Sequence, residues 1–135
     1  MQSLKRAPLF EGLSKKELTQ LARVSEDMEL SPGTVLCKEG EIGHEFFVIV
    51  DGEAEITKKG KRVTQRGGGE FIGEIALVEQ VPRTATVTAK TPLRVFVLTS
   101  KDFHHLLEKN PKVQGKVMRA LARRVAELAK DPAAA

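Results

Sequence analysis

Residues 67–87 read GGGEFIGEIALVEQVPRTATV, and this stretch breaks the period of everything around it. Glycines lead into Glu74 to Glu79, a run of helix formers too short for more than one or two turns. Val81-Pro82 must leave the helix, because proline removes a backbone donor and disfavours the helical conformation in the residue before it. A short helical insert between two strands is therefore expected. Its first amide N–H groups, near Ile75 and Ala76, have no intrahelical acceptor and carry the positive end of the helix dipole, and glycine beforehand lets backbone approach an anion closely. Arg83 follows at once, offering a planar fork of donors that matches two oxygens of a phosphate. Glu74 would repel a phosphate but suits a sugar hydroxyl one or two bonds away, and Thr84 can reach a further group such as a purine edge. Together these residues describe a compact ribose-phosphate ligand.

On both sides of the insert the chain alternates. From Met28 to Leu98, breaks at Ser31-Pro32-Gly33, Gly40-Glu41-Ile42-Gly43, Asp51-Gly52, Lys59-Gly60-Lys61 and Gly67-Gly68-Gly69 separate short pieces rich in β-branched and aromatic residues. Thr34 to Cys37, Phe46 to Val50, Ala54 to Thr57, Arg62 to Gln65, Ala85 to Ala89 and Arg94 to Leu98 have the spacing of a small sandwich or barrel. Asp51-Gly52 reads as a hairpin turn. The triple glycine reads as a flexible turn, since no Lys-Ser or Lys-Thr follows as a nucleoside triphosphate loop requires.

Helical period flanks this β region. Ser14 and Glu17 form a capping box for a short helix carrying Leu18, Leu21 and Ala22. Thr99 or Ser100 can cap a second helix with Phe103, Leu106 and Leu107 on one face, which Asn110-Pro111 ends. Beyond it Val113, Val117, Leu121, Val125 and Leu128 form one apolar stripe, expected to pack on the β region; fewer than three heptads make a two-helix dimer seam the weaker reading.

The 135 residues, 41% hydrophobic and 30% charged, suit one domain able to bury a core without disulfide or metal. Cys37 has no partner in the chain, so a reduced, cytoplasmic thiol is expected. No apolar run approaches the roughly 20 residues that span a bilayer, and no secretory signal is readable. Residues 101–135 carry eight Lys or Arg against four Asp or Glu, while residues 1–100 carry 14 of each sign. The basic excess reads as a solvated helix face, with docking on an acidic membrane or nucleic acid as a rival. His104 and His105 are adjacent and point apart, so no metal site is expected. No nucleophile with a positioned base is visible, so no enzyme is expected.

At Phe-x-Gly-Glu-Ile-Ala-Leu and Pro-Arg-Thr-Ala-Thr-Val the sequence resembles the cyclic nucleotide-binding domain, the type found in catabolite activator protein and protein kinase A regulatory subunits. The likeness runs from about Leu9 to Leu128, through Phe10, Leu13, Pro32-Gly33, Gly40-Glu41, Gly43, Phe46 to Ile49 and Gly52. It implies a mainly β, α+β fold: an eight-stranded jelly-roll β-barrel with N-terminal helices and two C-terminal helices. One domain over residues 1–130 is implied, with N-terminal helices at 8–25, barrel at 28–98, phosphate-binding cassette at 71–87 and C-terminal helices at 101–129. Residues 131–135 would be a disordered tail or linker.

The resemblance also implies a ligand, cAMP ahead of cGMP, and no further cofactor. Arg83 would take the cyclic phosphate and Glu74 the ribose 2'-hydroxyl, with Ile72, Gly73, Ile75, Ala76 and Thr84 completing the site. Leu77 would be the hydrophobic hinge to the C-terminal helices. Many members close the base side with Tyr or Trp; this chain has neither, which leaves an aliphatic residue or an arginine of the last helix, Arg119 or Arg123, as lid. The function implied is sensing, passed to an effector domain or partner protein; the alternative is a nucleotide-independent interaction domain on the same fold. Relatives that regulate transcription continue into a helix-turn-helix domain, absent from this sequence, so direct DNA binding by this chain is not expected.

Overall fold

A computed structural model describes residues 8–73 and 82–130 of the chain. A 3-10 turn at Pro8–Phe10 precedes α1 (Lys15–Val24). Eight strands follow: β1 (Glu26–Leu30), β2 (Val35–Cys37), β3 (Glu45–Asp51), β4 (Glu53–Lys58), β5 (Lys61–Gly67), β6 (Phe71–Ile72), β7 (Thr86–Ala89) and β8 (Leu93–Thr99). Two helices close the described chain, α2 (Ser100–Lys109) and α3 (Pro111–Lys130). The strands form two antiparallel four-stranded sheets, ordered β1-β8-β3-β6 and β2-β7-β4-β5. Among the described residues no ladder joins an edge of one sheet to an edge of the other.

Burial on both faces explains the apolar run Phe46 to Val50. Side chains alternate along a strand, so Phe46, Val48 and Val50 face a core shared with Phe10, Leu18, Leu21, Phe71, Phe103, Leu106, Val113 and Val117 of the helical layer. Phe47 and Ile49 face the other way, into a core between the sheets with Ile72, Val87, Val95 and Val97. β3 is thus the middle layer of three, and β8 repeats the pattern with Phe96 and Leu98 outward and Val95 and Val97 inward.

The expected caps are present. Ser14 Oγ accepts the Glu17 amide at 3.1 Å while Glu17 Oε1 accepts the Ser14 amide at 2.9 Å. Replacing Ser14 by alanine is expected to lower stability by about 1 kcal/mol in urea denaturation; no change would remove the box as the start of α1. Thr99 caps α2 through the Asp102 amide at 3.1 Å. At the Asn110-Pro111 break Asn110 Nδ2 donates to the Leu106 carbonyl at 2.9 Å, and α3 begins at the proline.

Two expectations are corrected. Asp51-Gly52 is not a hairpin: β3 and β4 lie in different sheets, and Gly52, with φ +98°, turns the corner between them. Both edges of β3 are already taken, by β8 and β6, so β4 has nowhere to pair beside it. The two-residue hairpin is Lys59-Gly60, joining β4 to β5. Secondly, the α3 stripe is not packed along its whole length: Val113 and Val117 are buried and Leu121 partly so, but Val125 is 65% exposed. The triple glycine is a turn, as expected, and rests on β3, with the Gly69 amide donating to the Ile49 carbonyl at 2.8 Å and the Gly67 amide to Glu70 Oε2 at 2.6 Å. Two strands escaped the sequence reading. β1 is an acidic edge in which only Met28 and Leu30 turn inward, held by Asp27 accepting from Arg94 Nε and Nη2 at 3.1 and 2.7 Å. That arginine holds the Asp27 carboxyl below its ordinary value. β6 is two residues long, too short to show a period.

Candidate functional site

Residues on either side of 74–81, the expected helical insert, which lies outside the described residues, come together at Arg83. Gly40 to Gly43 runs antiparallel to Pro82-Arg83: the Arg83 amide donates to the Glu41 carbonyl at 2.8 Å and the Gly40 amide to the Arg83 carbonyl at 2.9 Å. This pairing pins the main chain of residue 83 and sends its side chain inward. Arg83 is 6% exposed and its Nη2 donates to the main-chain carbonyl of Glu45, the first residue of β3, at 2.6 Å.

Two glycines make the space. A Cβ on Gly43 would stand 2.6 Å from Nη2 and 2.7 Å from Cζ, inside the guanidinium. A Cβ on Gly73 would stand 2.9 Å from Nη1 and 2.7 Å from the Glu45 carbonyl, and Gly73 has φ +88°, which side chains disfavour. The arginine therefore lies between the Gly40 to Gly43 loop and the end of β6.

Nη1 is buried with no hydrogen-bond partner among the described residues, and no described carboxylate forms an ion pair with this arginine. A buried cationic donor left unmade is costly in water-poor surroundings. The arrangement leaves one donor of the buried guanidinium fork unmatched among the described residues.

Of the residues singled out in the sequence, the structure brings Gly73 and Arg83 together. Ile72 is 4% exposed and belongs to the core between the sheets. Thr84 is exposed beside Arg83 and makes no described hydrogen bond. Glu74, Ile75, Ala76 and Leu77 lie outside the described residues. Arg119 and Arg123 are exposed on α3. Arg123 lines a cleft of about 590 Å³ with Leu9, Glu70, Phe71 and Ala120 on the helix side of β6. The α3 arginine that meets β6 is Arg124: its Nη2 donates to the Phe71 carbonyl at 2.6 Å, and its guanidinium carbon sits 4.3 Å from the Phe71 ring centroid.

Sequence reasoning missed Gly43, the Glu45 carbonyl and Arg124. Gly40-Glu41-Ile42-Gly43 was legible as a loop, but which loop a buried arginine rests on is decided by tertiary pairing. A carbonyl acceptor leaves no mark in the residue type.

The model of the cyclic nucleotide-binding domain matches residues 27–110. The chain is 42% identical over 106 residues to a cAMP-dependent protein kinase regulatory subunit of Yarrowia lipolytica, covering 77% of this chain and 28% of that protein. The chain thus spans about a quarter of the length of this relative. Among solved structures it is similar to cAMP-bound PfPKA-R, with TM-score 0.81, 27% identity and coverage of 96% of this chain and 45% of the other. It is similar as well to the regulatory subunit of a cAMP-independent protein kinase A from Trypanosoma brucei, with TM-score 0.76, 27% identity and coverage of 88% and 44%.

Proposed function

Because the chain belongs to the cyclic nucleotide-binding domain family, we propose that it senses a cyclic nucleotide, cAMP ahead of cGMP, and passes the event to an effector through its C-terminal helices. The observation that carries this reading is the buried Arg83 guanidinium with Nη1 unpartnered beside Gly73. Family membership alone does not decide the ligand, since one similar structure belongs to a cAMP-independent kinase. A sandwich retained only for protein interaction has no use for a buried arginine with an unmade donor.

In this reading Arg83 takes the cyclic phosphate with amides of Gly73, Ile75 and Ala76. Glu74 takes the ribose 2'-hydroxyl, Ile72 forms part of the wall, and Thr84 meets the purine. The two sheets are the halves of an eight-stranded jelly-roll barrel whose cassette spans 71–87. The likeness to cAMP-dependent regulatory subunits favours cAMP, and a kinase catalytic subunit is the kind of partner it points to.

Coupling needs contacts that differ between two states. Phosphate draws the cassette inward, Leu77 moves as a hinge, and α2 and α3 repack with Arg119 or Arg123 over the base. The Arg124 bond to the Phe71 carbonyl supports this route, because it ties α3 to β6, the strand that leads directly into Gly73.

Thermal unfolding of the intact chain with cAMP, cGMP and linear AMP tests the proposal. Ligand at about 100 times its dissociation constant adds about 2.7 kcal/mol, a rise of about 10 °C for a domain of this size. The rise is expected at the lowest concentration for cAMP and to be small for AMP. An unchanged midpoint with every nucleotide at millimolar concentration would establish the nucleotide-independent alternative.

A further inference from the structure

The β4–β5 hairpin carries a charge cluster that the ligand site does not use. Lys58-Lys59-Gly60-Lys61-Arg62 places four cations within five residues, although residues 1–100 are neutral overall. Lys58 stands directly opposite Lys61 in the ladder, and like charges at facing positions destabilise a strand pair. No carboxylate among the described residues forms an ion pair with any of the four. Glu39 lies beside the turn, yet its Oε1 accepts from the main-chain amide of Lys59 at 2.9 Å.

The tip is convex. Lys59 and Gly60 both have positive φ, 54° and 79°, as a two-residue turn requires, and nothing lies within 4 Å of where a Cβ on Gly60 would be. Lys59, Lys61 and Arg62 are exposed. A merely solvated surface intersperses both signs, whereas this one concentrates a single sign and sets two of its members face to face. An external polyanion would relieve that repulsion.

We infer that the tip of the β4–β5 hairpin is a docking surface for an anionic lipid bilayer. Shape and chemistry select that occupant. A protruding turn meets a flat array of headgroups, while an acidic peptide would need a groove to lie in. Single-stranded nucleic acid would want aromatic faces to stack on, but all six phenylalanines are buried. Three of the four cations are lysines, mobile point charges that suit scattered phosphates better than bidentate recognition. Each Lys or Arg near an anionic leaflet is worth about 1 kcal/mol, which corresponds to about fivefold in partitioning.

The test is co-sedimentation of the intact chain with vesicles of phosphatidylcholine alone or with 30% phosphatidylserine, at low and high salt. Binding is expected only to the anionic vesicles and is expected to vanish at high salt. The variant combines Lys58→Gln, Lys59→Asn, Lys61→Gln and Arg62→Gln, asparagine being chosen because it tolerates the positive φ at position 59. It should partition at least about 20-fold less than the parent. A charge-matched control, Lys15, Lys16, Lys101 and Lys109 to Gln, should lose less than about threefold. Circular dichroism and the thermal midpoint verify that both variants fold. Equal loss in the two variants would reduce the effect to net charge and overturn the inference. So would tighter binding of a single-stranded oligonucleotide abolished by the same hairpin variant. Self-association of the hairpin variant with vesicle binding intact would also overturn it, leaving the lysines as guards of an edge strand.

Discussion

Arg83→Met is expected to weaken cyclic nucleotide binding by about 100-fold or more while leaving the ligand-free protein at least as stable as the parent. The two effects have one cause. The guanidinium has been taken from water, Nη2 is matched by the Glu45 carbonyl, and Nη1 has no partner among the described residues. Burying a charged donor unmade is unfavourable, and replacing it by an apolar group of similar length removes that penalty. The lost bond to the Glu45 carbonyl offsets part of the gain, so the net change is expected between zero and about 2 kcal/mol of added stability. With ligand present the balance reverses, because truncating one partner of a buried charge pair costs about 2–5 kcal/mol. Isothermal titration gives the first number and urea unfolding the second. Were the arginine a structural strut, methionine would instead destabilise the empty protein by several kcal/mol, and that result would end the anion reading. Arg83→Lys keeps the charge without the fork and should fall between, about tenfold weaker than the parent.

The family was legible because its motif needs particular residue types at fixed spacing: glycine where backbone must come close, and arginine at once after proline. The helical flanks were legible because Ser14 and Glu17 name their own cap, and because Pro111 must begin a helix rather than continue one. Much of the β region followed from glycine and proline punctuation. Strand partners did not follow. Asp51-Gly52 has the residues of a tight turn, yet the corner it makes is decided by β8 and β6 having already taken both edges of β3. β1 was missed since an edge strand can satisfy its core with Met28 and Leu30 while every other position carries an acid or meets solvent. The α3 stripe promised a continuous seam, but a period states only which residues share a face. How far the underlying layer extends is a tertiary fact, and Val125 lies beyond it. The site divides in the same way. Gly73 and Arg83 could be named from residue types, whereas the Glu45 carbonyl that orients the guanidinium could not.

Phe103→Ala is expected to destabilise the protein by about 3–5 kcal/mol, a large part of the 5–15 kcal/mol that holds a typical domain folded. Phe103 is fully buried, and its ring stacks on Phe46 with centroids 3.6 Å apart at an interplanar angle of 11°. Phe46 in turn meets Phe71 at 5.4 Å. One aromatic column thus runs from α2 through β3 to β6. Alanine removes the outermost ring and leaves a cavity that neighbours fixed in one sheet and in the helical layer can close only in part. Leucine, which keeps most of the volume, should cost about 1–2 kcal/mol. Urea denaturation measures both, and a loss below about 1.5 kcal/mol for alanine would mean that the ring anchors little. The column also predicts where protection is lost. Amides of α2 and α3 should exchange faster in Phe103→Ala than those of β3 and β8, since Phe103 joins the helical layer to strands that remain paired with each other. Cyclic nucleotide binding should then fall only as far as closure depends on those helices, because Arg83, Gly43 and Gly73 are held together by strand and loop pairings at the start of β3. Loss of binding as deep as that of Arg83→Met would place the helices inside the ligand site rather than behind it.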